Sequence, residues 1–82
     1  MYWDDLYRIL NRIISATMRR FPLADPQLLE TYLMELLRKC DSYEEAISTL
    51  EVDAYYEGFY PVDEEAIAYA LGLAQRFGLF EG

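Results

Sequence analysis

Apolar positions recur every three or four residues along most of this chain, the spacing of helices that bury one face. In the first stretch, from about Asp4 to Arg20, that face is Leu6, Ile9, Leu10, Ile13, Thr17 and Phe21. Arg8, Arg12, Ser15 and Arg19 fall on the opposite stripe. Asp4 and Asp5 at the start, and Arg19 and Arg20 at the end, complement the helix dipole. Phe21-Pro22 closes the element, because proline disfavours helical conformation in the residue before it.

Asp25-Pro26 opens the second helix, with Asp as N-cap and Pro in the first turn, where its missing donor costs nothing. Its apolar face is broad: Leu28, Leu29, Tyr32, Leu33, Leu36, Leu37 and Cys40. Such width serves two neighbouring helices. Ser42 with Glu45 reads as a capping box for a third helix, with Ala46, Ile47 and Leu50 inward. That helix ends either near Glu51 or near Tyr56, ahead of Gly58 and Pro61. Asp63 caps the fourth helix, and Glu64 and Glu65 favour its positive end. Val62 and Ile67 have the spacing of a hydrophobic staple. Ile67, Ala70, Leu71, Ala74 and Phe77 make its face. Gly78 suits the left-handed position after it, with Leu79 for the usual apolar contact.

The predicted fold is therefore all-α, a compact bundle of four helices with short loops. Residues 1–82 are expected to form a single small domain, with no internal repeat. A chain this short buries little more than ~60% of its unfolded surface, so the margin of stability is thin. Its high apolar content predicts either a well-filled core or apolar surface kept for a partner, a homodimer included.

Charge changes this picture. Residues 1–40 hold six basic and five acidic residues, a balance of +1, whereas residues 41–82 hold one and ten, a balance of −9. Together they make the net −8. Between Asp41 and Gln75 stand nine carboxylates and no Lys or Arg. Asp41, Glu44, Glu45, Asp63, Glu64 and Glu65 have local work at helix starts. Glu51, Asp53 and Glu57 do not, and they flank Tyr55, Tyr56, Phe59 and Tyr60. The arginine stripe of the first helix is expected to be a solvated face that pairs with the acidic half of the same molecule or of a neighbour.

Several chemistries are excluded. There is no histidine, which removes the usual general base and the commonest transition-metal ligand. Cys40 is the sole cysteine, so neither an intrachain disulfide nor a thiolate zinc site can form. Its place on an apolar helix face predicts a packing role. The adjacent pairs Glu44/Glu45 and Glu64/Glu65 point to different sides of a helix and make no acid–base couple. No glycine-rich phosphate loop is present. The acidic first residues lack the charge of a signal peptide. No apolar run approaches the ~18 residues of a spanning helix. A cytoplasmic, non-enzymatic protein without metal or cofactor is the expectation.

Three constellations remain. Residues 53–64 resemble an EF-hand calcium loop, with Asp53, Glu57, Gly58 and Glu64 at ligand and turn positions. Tyr55 and Pro61 occupy positions where the loop needs oxygen ligands, so a capped interhelical turn is the preferred reading. Next, Met18, Phe21-Pro22, Asp25-Pro26, Leu29 and Leu33, then Glu45-Ala46-Ile47 and Leu50, resemble the pattern of CUE domains. These are three-helix ubiquitin-binding modules related to the UBA fold. The resemblance covers residues 18–50. It implies ubiquitin contacts through Phe21-Pro22 and Leu50, matching the family's Met-Phe-Pro and di-leucine motifs. Two arginines separate Met18 from Phe21, and Glu51 follows Leu50.

The third constellation is acidic and aromatic: Glu51, Asp53, Tyr55, Tyr56, Glu57, Phe59, Tyr60 and Asp63. Tyrosine offers broad contact area at low entropy cost, and carboxylates around it steer a basic partner. Tyr55-Tyr56 beside Asp53 and Glu57 is similar to the paired tyrosines of bacterial immunity proteins against nuclease toxins. Phage proteins that imitate the charge of DNA share the acidity. That likeness implies inhibition or regulation of a nucleic-acid-handling protein. Direct nucleic-acid binding is disfavoured, because phosphates are repelled by this half. The expected function is thus a protein-interaction module. Ubiquitin binding, a degenerate calcium loop and a small structural subunit are the alternatives.

Overall fold

Each helix of this protein begins or ends where a local side chain or turn supplies partners to its orphan backbone groups. The computed structural model describes residues 3–56 and 63–80. It contains α1 (Trp3–Arg20), α2 (Pro26–Lys39), α3 (Tyr43–Tyr56) and α4 (Glu64–Arg76), an all-α four-helix bundle. Asp25 caps α2, its carboxylate accepting from Gln27 N at 2.9 Å and Leu28 N at 3.3 Å. Ser42 Oγ accepts from Glu45 N at 3.1 Å. In return Glu45 Oε2 accepts from the backbone N of Asp41, one residue earlier than the usual box. Asp63 accepts from Glu65 N at 2.9 Å and so caps α4.

The end of α4 is a Schellman turn. Gly78 has φ +76°, its N–H reaches Gln75 O at 3.0 Å, and Leu79 N reaches Ala74 O at 2.9 Å. Phe77 forms the C-cap with φ −82° and ψ 2°. Its ring stands outward at the end of the helix, 43% exposed, which corrects the expectation of an inward Phe77. Phe80, beyond the turn, packs edge-on against Tyr43 with ring centroids 6.3 Å apart.

The core gathers Leu10 and Ile13 of α1, Leu29, Leu33 and Leu36 of α2, Ala46 and Leu50 of α3, and Ile67 and Leu71 of α4. Thr17 lies fully buried among them, and its hydroxyl donates to Ile13 O at 2.8 Å. Helix α4 touches all three other helices. Its fully buried Ala66, Ala70 and Ala74, spaced at one turn, allow that close approach. Phe21 meets Tyr69 of α4 edge-on at 5.9 Å, and the Arg20 guanidinium lies 5.3 Å above the same ring. In contrast, among the described residues no Cα of α1 comes within 8 Å of α3, so these two helices occupy opposite corners.

Candidate functional site

The acidic residues named from the sequence divide between structural and free roles. Asp53 sits half-buried on α3, and its Oδ2 accepts from the Tyr32 hydroxyl of α2 at 2.6 Å. The phenol is pushed above its usual pKa, chiefly by burial, then by the bond to Asp53 and the nearby charges of Asp53 and Glu35. Asp53 therefore helps join two helices. Asp63 is engaged as the α4 N-cap. Glu51 is exposed on the outer face of α3. Tyr55 and Tyr56 belong to the last turn of α3, which resolves where that helix ends. Glu57, Phe59 and Tyr60 lie outside the described residues.

One contributor escapes sequence reasoning. Val52 follows Glu51 and is 52% exposed, an apolar side chain standing among acids. β-branched residues rarely signal their own exposure; only the phase of the α3 face, set by Ala46 and Leu50, points to it. With Glu44, Ser48 and Glu51, also exposed, Val52 forms one outer stripe of α3. No lysine or arginine neutralises that stripe. Among the described residues the sole ion pair is Lys39 with Glu35 at 3.1 Å, both exposed on α2. Glu35 raises the Lys39 pKa through its hydrogen bond and charge. The expected pairing of the arginine stripe with acids of the same molecule does not occur there.

Cys40 caps the end of α2, is 6% exposed and lies 3.6 Å from Thr49 Oγ1, a packing position. The residues of the calcium-like pattern are dispersed in role: Asp53 bonds Tyr32, Asp63 caps α4, and the segment 57–62 lies outside the described residues. Among the described residues no three acidic or cysteine side chains converge as a metal site. Of the CUE-like positions, Leu50 is 2% exposed and Phe21 packs on Tyr69. No described helix is long and apolar enough to cross a membrane.

An apolar cavity of about 580 Å³ lies between α1, the end of α2 and the C-terminal turn, lined by Leu6, Leu10, Met34, Leu37, Leu79 and Phe80 among others. It is remote in sequence from the acidic stripe. α3 thus offers an exposed acid–valine face, and the Tyr32–Asp53 bond joins the same helix to α2. No family model matches this chain, and neither a curated protein nor a solved structure matches it.

Proposed function

We propose that this protein is a non-enzymatic interaction module that docks a basic partner protein on the outer face of α3, and thereby inhibits or regulates a nucleic-acid-handling protein. Glu44 and Glu51 attract the partner, and Val52 supplies the apolar contact that outlasts the encounter. Tyr55 and Tyr56, in the last turn of the same helix, are of the residue type most suited to such contacts. Asp53 and Asp63 act beneath it, one fixing α3 against α2 and the other starting α4.

The observation that carries this reading is the unneutralised α3 stripe: acids and a half-exposed valine, with no cation in reach among the described residues. Exposed carboxylates of this kind contribute little to stability, and they gain most by steering association. The test is affinity capture with the wild-type chain beside Glu51→Lys and Leu23→Ser. Leu23 is fully exposed between α1 and α2, away from the stripe. A basic protein retained by wild type and Leu23→Ser but lost with Glu51→Lys supports the proposal. Equal retention by all three overturns it.

A further inference from the structure

A groove with a basic rim runs along α1. A depression of about 740 Å³ is lined by Asp5, Arg8, Ile9, Asn11, Arg12 and Phe77. A second, of about 390 Å³, shares Asn11 and Arg12 and continues past Ser15 to Arg19. Arg8, Arg12 and Arg19 are exposed, and none has a carboxylate within 4.0 Å among the described residues. Ile9 and the exposed ring of Phe77 give the first depression an apolar floor.

We propose that this groove receives the outer α3 face of a second copy of the chain. The two helices carry matching rulers. Arg12 and Arg19 are seven residues apart, as are Glu44 and Glu51. Seven residues are two helical turns, about 10.5 Å, so each pair lies on one face. With the helices antiparallel, Glu51 meets Arg12 while Glu44 meets Arg19. That register sets Val52 opposite Asn11, one residue past Arg12 and within the depression that Ile9 and Phe77 also line. Charge and shape complementarity thus agree on one alignment.

The contact cannot close on itself in pairs. A two-fold dimer needs both faces of each copy to meet both faces of the other. Here α1 and α3 stand at opposite corners without touching. The molecule measures 34 × 28 × 17 Å, beyond the ~8 Å over which charges act at physiological salt. The faces therefore do not neutralise each other within one copy, and copies add head to tail. The acidic half of this contact is the proposed docking face and rests on that reading; the α1 groove is separate from it.

Sedimentation of the purified chain over a concentration series tests the inference. At about 0.15 M salt the average mass rises with concentration past twice the monomer's 9.7 kDa. At about 1 M salt, where screening tightens to ~3 Å, it returns to the monomer. Arg12→Glu alone and Glu51→Lys alone stay monomeric with unchanged helical circular dichroism. Mixed in equal amounts, Arg12→Glu and Glu51→Lys assemble again, because the intact groove of one meets the intact stripe of the other and the two reversed charges also face each other. Arg19→Glu repeats the test should Arg12→Glu lose helix. Arg12→Glu also keeps capture of a basic partner, which separates this contact from the proposed function. A wild-type chain that stays monomeric, stops at a dimer, or assembles despite either reversal overturns the inference.

Discussion

Tyr32 on α2 and Asp53 on α3 are joined by a 2.6 Å hydrogen bond across 21 residues of chain. The bond gives a structural reason for a carboxylate that otherwise reads as surface charge. It also fixes the half of α3 that carries Glu51 and Val52. Tyr32→Phe keeps the ring and removes the donor, leaving a half-buried carboxylate without that partner. Hydrogen bonds to charged groups set the cost at about 1.5–3 kcal/mol. Urea denaturation checks it. Adding Asp53→Leu to Tyr32→Phe recovers part of the loss, since removing both partners is far less costly than removing one.

The same pair predicts an alkaline limit. Burial and the neighbouring negative charges raise the Tyr32 pKa in the folded state above the ordinary phenol value of about 10. Once pH passes that unfolded value, the unfolded chain loses the proton that the folded chain keeps. Stability then falls as pH rises. Below about pH 10 this contribution is fully present. The expected result is a steeper loss of melting temperature above that pH in wild type than in Tyr32→Phe. Parallel profiles of the two proteins would falsify this assignment.

Local chemistry made the helix starts legible, because Asp25, Ser42 and Asp63 act on amides two or three residues away. Gly78 was legible for the same reason. Phe77 was not: it still holds the helical bond to Leu73 O, yet at the last turn its ring stands 43% exposed. Phe80 then takes the inward position against Tyr43. Helix α3 runs on to Tyr56, and Asp53 within that stretch holds a tertiary bond from Tyr32 that no local pattern announces. Of the acidic–aromatic segment, Glu51 stands where the periodic pattern places it, whereas Asp53 and Asp63 have internal duties. Val52 emerges only once the buried side of α3 is known.

Two glycines of α4 and its cap are expected to respond with opposite signs. Gly72 lies inside the helix, and a Cβ there meets nothing within 4 Å. Gly72→Ala should therefore stabilise the protein by about 0.5–1 kcal/mol. Gly78 also has open space, but its φ of +76° is unfavourable for an L side chain. Gly78→Ala should cost about 1–2 kcal/mol. Thermal melts of the two variants beside wild type decide the matter. A gain at Gly78 would show that the cap is not formed in solution.

In the proposed function, the outer face of α3 docks a basic protein by electrostatic steering and apolar contact. The most direct measurement is the association rate of the captured partner by stopped flow, over a salt series, with wild type and Glu51→Lys. The expected result is a wild-type rate that falls with salt and a Glu51→Lys rate slower on the order of tenfold at low salt. Val52→Ser should leave association nearly unchanged and speed dissociation. An association rate indifferent both to salt and to Glu51→Lys contradicts docking on this face.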